Sequence, residues 1–359
     1  AKQGDVPFGT LVTIDESPLH FGLLYVGSDD GLIHSSKDGG YTWTKISDGL
    51  PQNFWVSRVV ASTHQEATVY CSLNGYRDDH FTAYAYVSTD YGQTWQRIGE
   101  DLPAEPINVI KEDPKNPNLL YIGTDHGLYI SLNKGKSFMH MAGELPAVPV
   151  HDLVVHPRDN EVVLGTHGRS IWIADVSLVQ QLTDSLLAKD IHAFALKTQN
   201  ANPSWGRQFM KYDEPNAIKY DIPFYLKKAD KVTVKIQTDK GLVLRTLTDD
   251  SETGLNFVNF DMTLDKAVMA DYEKYLNEVK RKDEKAIKVE LGQDDKQLYI
   301  RPGKYKVVIE TTGGLKAEQS LEIKGSERRG RRSVPTAKVV GSPGELEDWM
   351  EELGIEEKK

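Results

Sequence analysis

The sequence is short of the features that announce several common kinds of protein. Of its 359 residues only one is cysteine, Cys71, which excludes an internal disulfide framework and a Cys-based metal cluster. The strand-like Thr68-Val-Tyr70 before it marks Cys71 as a buried, inert thiol. Long apolar runs are missing too. The longest, residues 148–155, is broken by Pro149, His151 and Asp152, well short of the ~20 apolar residues of a spanning helix, so a soluble protein is expected. Positive charge is not in excess: 43 Lys and Arg stand against 53 Asp and Glu, a net −10. An acidic chain without a basic stripe is repelled by phosphate backbones, which argues against nucleic acid as a partner. No G-x-S-x-G elbow, phosphate-binding P-loop or G-x-G-x-x-G turn is present. The sequence opens on Ala1 with no secretory leader pattern, and a processed chain or a fragment is expected, its compartment unwritten in these residues. The length and 39% hydrophobic content leave room for two domains, each with its own core.

The first half is internally repetitive. LYVGSDDGLIHS beginning at Leu24 matches LYIGTDHGLYIS at Leu120, and a third copy, VLGTHGRSIWI, begins at Val163. Each is a pair of β-rich runs around a Gly-containing turn, a hairpin signal. A second element follows the hairpin: Ser36, Asp38, Gly40, Thr42 and Trp43, then Ser88, Asp90, Gly92, Thr94 and Trp95, then the eroded Ser131, Asn133, Gly135, Ser137 and Phe138. Its chemistry is that of a self-bonded turn. The Asp carboxylate accepts backbone N–H groups of its own loop, Gly supplies positive φ, and the aromatic residue packs beneath.

A period of ~40 to 50 residues with four short strands reads as β-propeller blades. Inner strands are expected at residues 11–14, 58–60, 107–110 and 151–155, giving about four blade-like units. Such a set leaves sheet faces and edges open, so further blades, upstream in the same gene product or on a second chain, are expected to complete it.

The S-x-D-x-G-x-T-W pattern resembles the Asp-box, or BNR, repeat. Over residues 10–180 the chain resembles the propellers of sortilin-type and xyloglucanase-type proteins, and above all the large, secreted bacterial BNR proteins described as glycosyl hydrolases. The residues that carry this likeness are Trp55-Val-Ser-Arg58, Gly75-Tyr-Arg-Asp-Asp79 and Gly165-Thr-His-Gly-Arg169-Ser-Ile-Trp172. The resemblance implies an extracytoplasmic (secreted, periplasmic or cell-surface) protein. It does not choose an activity, because sortilin-type members bind proteins whereas xyloglucanase-type members cut polysaccharide.

From about Leu182 the repeat stops. Strands alternating at period two are expected at 220–226, 231–236, 242–247, 256–261, 303–310 and 317–323, the pattern of an Ig-like sandwich. Val232-Thr-Val-Lys-Ile236, Arg245-Thr-Leu247 and Pro302-Gly-Lys-Tyr305 resemble the Ig-like domain of flagellar hook-capping proteins. An amphipathic helix is inserted near 265–287, with Val268, Tyr272, Tyr275, Leu276 and Val279 on one face. Beyond it lie a basic cluster, Arg328-Arg-Gly-Arg-Arg332, read as a solvated linker, and a capped C-terminal helix starting at Ser342 with Leu346, Trp349, Met350 and Leu353 as its stripe. The expected domains are 1–181, an incomplete propeller; 182–325, the sandwich; and 326–359, linker and helix. The expected fold class is all-β, a partial propeller of about four Asp-box blades plus an Ig-like β-sandwich with an inserted helix and a C-terminal helix.

In a propeller the loops between second and third strands gather on one face, opposite the Asp-box turns. That face is expected to receive residues 28–31, 76–80, 124–127 and 166–169, joined by Asn53, Trp55 and Glu144 from interblade loops. Its binding residues are Trp55, Arg58, Tyr76, Arg77, Asp78, His80, His126, His167 and Arg169, a mixture suited to a glycan or a protein ligand. A glycosidase would need two carboxyl groups ~5 to 9.5 Å apart; Asp30, Asp79 and Asp125 are the candidates, and no spacing selects a pair. Arg58 and Arg169 are expected to pair with loop carboxylates and hold the channel together. Three arginines clasping a carboxylate, as in a sialidase, would have to be Arg58, Arg77 and Arg169. No H-x-x-x-H or H-E-x-x-H spacing occurs, and no metal or cofactor is expected. A binding scaffold leads, with a glycoside hydrolase or a subunit of a surface or secretion assembly as alternatives.

Overall fold

A computed structural model describes residues 9–141, 145–210, 212, 214–281, 285–292 and 294–325. The expected Glu144 contribution, the basic cluster and the C-terminal helix lie outside the described residues. The chain divides into two compact units between Lys189 and Asp190.

The first unit is a row of four antiparallel sheets. Blade 1 comprises β1 (Leu11–Glu16), β2 (Leu24–Ser28), β3 (Ile33–Ser36) and β4 (Thr44–Lys45). Blade 2 comprises β5 (Trp55–Ala61), β6 (Val69–Gly75), β7 (His80–Ser88) and β8 (Gln96–Ile98). Blade 3 has β9 (Ile107–Glu112), β10 (Leu120–Thr124), β11 (Gly127–Ser131) and β12 (Met139–His140). Blade 4 has three strands, β13 (Val150–His156), β14 (Glu161–Thr166) and β15 (Ile171–Asp175), before a short helix α1 (Asp184–Leu187). The four expected inner strands are β1, β5, β9 and β13.

The core lies between the blades. Successive residues of a strand point to opposite sheet faces, so a blade with neighbours on both sides has strands that are apolar throughout. In β6, Val69, Cys71 and Leu73 pack with Tyr25 and Ile33 of blade 1, while Tyr70 packs with Leu120 and Ile122 of blade 3. Leu119 and Tyr121 turn the other way, toward Leu153 and Val162 of blade 4. Cys71 is fully buried and free, and burial pushes its thiol pKa well up.

The two end blades are covered on one side only. Thr13 faces blade 2, its hydroxyl accepting the Val59 N–H at 3.4 Å, and Val12 and Ile14, of opposite parity, are 40% and 67% exposed. In blade 4, Leu153 and Val155 are buried, whereas Val154, Ile171 and Ile173 are exposed. The partial propeller expected from the repeat is present, open at both ends of the row.

All three Asp-box turns form. Ser36 Oγ donates to Asp38 Oδ1 (2.7 Å) and accepts from Gly40 N (2.8 Å), while Asp38 accepts from the Thr42 N–H (2.9 Å) and hydroxyl (2.6 Å). Ser88, Asp90, Gly92 and Thr94 repeat these bonds. In the third box the amide reverses the outer bond, Asn133 Nδ2 donating to Ser137 Oγ at 2.7 Å. The boxes also seat each blade on its predecessor: the Trp95 indole N–H donates to Ile46 O (2.6 Å) across blades, and Gly135 has room for no Cβ against Ile98 (2.8 Å). Blade 1 has no preceding blade among the described residues. Trp43 turns back to Gly40 O (3.0 Å) and remains 41% exposed.

In the second unit, β16 (Ile191–Ala193) pairs with β18 (Tyr220–Leu226), which pairs with β21 (Gly254–Phe260). A five-stranded sheet joins β17 (Gln199–Asn200), β25 (Lys316–Lys324), β24 (Gly303–Thr311), β19 (Asp230–Thr238) and β20 (Val243–Ser251) in that order. Both sheets contribute to one core, with Phe224 and Phe260 from the smaller and Val234, Ile236, Val307 and Leu321 from the larger. A pair of short strands, β22 (Thr263–Leu264) and β23 (Leu298–Tyr299), brackets α2 (Met269–Val279), the inserted helix. Tyr272 and Leu276 bury its apolar stripe in that core. Among the described residues no helix is long and apolar enough to cross a membrane.

Two outcomes test the blade packing. At Gly92 (φ +86°) a Cβ would strike Ile46, whereas at Gly40 (φ +94°) its nearest neighbours are the Trp43 and Leu24 side chains at 3.6 and 3.7 Å. Gly92→Ala should therefore cost about 2–4 kcal/mol, strain plus overpacking, and Gly40→Ala about 1–2 kcal/mol, strain alone; equal losses in urea melts would refute the difference. The second concerns acid. Hydrogen bonds from the Thr42 and Thr94 hydroxyls, their backbone N–H groups and the Ser36 and Ser88 hydroxyls hold Asp38 and Asp90 down to about 2. A folded pKa below the unfolded value gives stability that is present above about pH 4 and lost as pH falls toward 2. Thermal midpoints should fall over that window and fall less in the Asp38→Asn, Asp90→Asn double variant.

Candidate functional site

The loop end of the blades is set by their register. Leu11 pairs with Ser28, Trp55 with Asn74, Ile107 with Thr124 and Val150 with Thr166, so the start of each inner strand lies beside the turn leaving its second strand. The Asp boxes begin at the far ends of β3, β7 and β11.

Every inner strand carries a bulge near its start, at the second residue of β1, β9 and β13 and the third of β5. Val12, Ser57, Asn108 and His151 have no paired partner, and an inserted residue shifts side-chain parity. In blade 2 the bulge matters most. Val56 and Val59 oppose Leu73 and Cys71 in the core with blade 1, while Trp55 and Arg58 oppose Asn74 and Ser72. Trp55 and Arg58, three apart in sequence, therefore share the face turned away from blade 1.

On this face blades 2 and 3 are tied by amides. Asn74 Oδ1 accepts from Tyr76 N (2.9 Å), Asn74 Nδ2 donates to Asn108 Oδ1 (3.0 Å), and Asn108 Nδ2 donates to Asp125 Oδ1 (2.9 Å). The Arg77 guanidinium lies 5.1 Å from the Trp55 ring centroid, a cation–π contact. Arg58 Nη2 donates to Asp152 Oδ1 at 2.8 Å, linking the inner strands of blades 2 and 4 past that of blade 3. His126 Nδ1 is 3.3 Å from Glu105 Oε1. Three atoms of this set, Trp55 Nε1, Arg58 Nε and Glu105 Oε2, are shielded from solvent and make no hydrogen bond. An unpaired buried polar atom costs about 1–3 kcal/mol.

The candidate carboxylates are dispersed. Asp30, on blade 1, accepts the Ser28 hydroxyl; Asp79, on blade 2, occupies a left-handed position (φ 54°) closing the turn of Tyr76–Asp78; Asp125, on blade 3, is held by Asn108. No hydrogen bond joins two of them. Arg58 pairs with a strand carboxylate, Asp152, rather than with the loop carboxylates Asp29, Asp30, Asp78, Asp79 or Asp125. The exposed Arg169 gives its carbonyl to the Trp172 indole (2.9 Å). His80, Phe54 and Tyr84 form a three-ring cluster, with centroids 4.8 Å (Phe54–His80), 5.5 Å (His80–Tyr84) and 5.6 Å (Phe54–Tyr84) apart, and His80 hydrogen-bonds the Tyr84 hydroxyl (2.9 Å), while His167 lies 5.4 Å from His151 on blade 4. Tyr76 is exposed. Among the described residues no group of three or more His, Asp, Glu or Cys is placed to hold a metal ion.

Glu105, Asn74, Asn108 and Asp152 escaped the sequence reading. Asn108 left a trace, a lone amide in the apolar run 107–110, at the position aligned with Ser57 and His151. Glu105 left none.

No curated protein matches the chain. Among solved structures, an ancestral GH74 enzyme aligns over 87% of this chain and 41% of its own at 11% identity and a TM-score of 0.39. The GH74 xyloglucanase from Xanthomonas campestris aligns over 86% and 46% at 10% identity and a TM-score of 0.39. YCF48, bound to D1 peptide, aligns over 47% and 56% at 17% identity and a TM-score of 0.33. The chain thus spans less than half the length of either GH74 enzyme. The profile of Sortilin-Vps10, described as sortilin, neurotensin receptor 3, matches residues 83–285, which is more than half of the sequence. With its Asp-box blades, this chain belongs to the Sortilin-Vps10 family.

Proposed function

We propose that the chain is the binding portion of a larger extracytoplasmic scaffold, in which further Asp-box blades cover the open faces of blades 1 and 4 and the loop face engages a protein or glycan. One observation carries the ligand reading: Trp55 Nε1, Arg58 Nε and Glu105 Oε2 are desolvated without partners. Trp55 and Arg58 share one face of β5, with the Arg77 guanidinium on the Trp55 ring, a combination that suits a polar ligand with an apolar side. Two of the three candidate carboxylates for hydrolysis are engaged within the chain, Asp30 by Ser28 and Asp125 by Asn108. The extracytoplasmic setting follows the likeness to secreted BNR proteins, and the second unit is taken as an Ig-like module from its strand pattern.

Two experiments bear on this reading. Arrays of polysaccharides and of displayed peptides, with hits confirmed by calorimetry, should yield a ligand whose affinity falls about tenfold in Trp55→Phe and Glu105→Gln. A ligand bound equally by both variants, or glycan turnover abolished by Asp79→Asn or Asp125→Asn with the fold intact, would replace it. For the open faces, Ile14→Lys and Ile173→Lys, at exposed positions, should change unfolding free energy by less than about 0.5 kcal/mol. They should also suppress self-association in sedimentation velocity, whereas a wild-type chain that stays monomeric at high concentration contradicts the need for covering blades.

A further inference from the structure

The second unit holds a cleft of about 430 Å³ between the loop after β17 and residues 289–292 and 299–302. Its size falls within the roughly 300–1,000 Å³ of small-molecule sites. Trp205 and Tyr299 line it, ring centroids 5.9 Å apart and planes 43° from parallel.

Both rings are held by bonds that leave the cleft free. Trp205 N donates to Asn202 O (3.0 Å), and Gly206 N to Asn216 O (3.0 Å). Gly206 lies at φ +67°, and the Asp295 carboxylate packs where its Cβ would be. The same carboxylate accepts the Tyr299 hydroxyl at 2.6 Å and the Gln297 N–H at 3.0 Å. Asp295 therefore joins the Trp205 loop to the Tyr299 strand. Behind them, Ile300 N donates to Met262 O (2.9 Å), and the buried Val289 and Ile300 belong to the core. Both rings pack against that core.

The polar groups at the rim have capacity to spare. Arg301 uses Nη2 on Lys288 O (2.8 Å), one of its five guanidinium N–H donors. The exposed Glu290 carboxylate and the Trp205 indole N–H make no hydrogen bond among the described residues. One cation and one anion leave the lining neutral, which disfavours a charged ligand. Aromatic faces beside a forked donor and a free acceptor match a pyranose, whose axial C–H groups form an apolar face and whose hydroxyls both donate and accept.

We propose that this cleft binds a neutral hexopyranose unit of a polysaccharide, stacked on Trp205 and Tyr299 and hydrogen-bonded by Arg301 and Glu290. It is a glycan subsite separate from the loop face of the blades. The test titrates the full chain with cellohexaose, mannohexaose and a β-1,4-galactan oligosaccharide by calorimetry, with hydroxyl-radical footprinting of the wild-type chain. At least one sugar should bind and protect Trp205 and Tyr299 from oxidation. Trp205→Ala should weaken it about tenfold and Arg301→Met several-fold. Absence of binding by all three sugars overturns the proposal, as does binding that leaves Trp205 unprotected. Binding weakened by Trp55→Phe alone assigns the sugar to the blade face and also overturns it. If Trp205→Ala fails to fold, the wild-type footprint decides.

Discussion

Every blade needs cover on both faces, and the first unit is organised by that requirement. A lone four-stranded sheet with apolar residues on both sides cannot stand in water; stacked in a row, each sheet buries its neighbour. That is why β6 and β10 carry no polar alternation, and why Val69 and Tyr70, adjacent in the chain, belong to different interblade cores. The same requirement makes the ends of the row conspicuous. Ile14 on one side and Ile171 and Ile173 on the other are over three-fifths exposed, although their parity is that of core residues in the middle blades.

The two ends of each blade use polar chemistry differently. At the Asp-box end, serine, aspartate and threonine satisfy one another and their own backbone, so the turn is self-sufficient and its aromatic residue is left to seat the blade on its predecessor. At the loop end the polar side chains are spent between blades, Asn74 on Asn108 and Arg58 on Asp152. Bulges make this geometry. An extra residue at the start of each inner strand interrupts the two-residue period, sending Asn108 across to Asp125 and setting Trp55 beside Arg58. Trp55 Nε1, Arg58 Nε and Glu105 Oε2 there end buried without a partner, as do Tyr25 Oη, Ser47 Oγ and Arg245 Nε elsewhere in the described residues.

The second unit is built on a different scaffold. Its sheets and α2 close one core around Phe224, Phe260 and Tyr272, and Asp295 ties the Trp205 loop to Tyr299 of β23, both rings packed against that core.

By itself the sequence determined what is local. The Asp boxes were legible because their bonds close over two to four residues, as from Thr42 to Asp38, and the same residues in order make the same turn wherever they occur. Strand positions in both units were legible as well, since alternation and uninterrupted apolar runs record which faces are buried. What the tertiary structure decided lies at long range. Asn108 meets Asp125 across 17 residues, Asn74 across 34, and Arg58 meets Asp152 across 94, and no spacing rule connects such positions. The bulges were equally hidden, because an unpaired residue is defined by a neighbouring strand. Which of the loop residues touch, which are committed to packing as His80 is, and which atoms stay unpaired depended on how neighbouring blades came together.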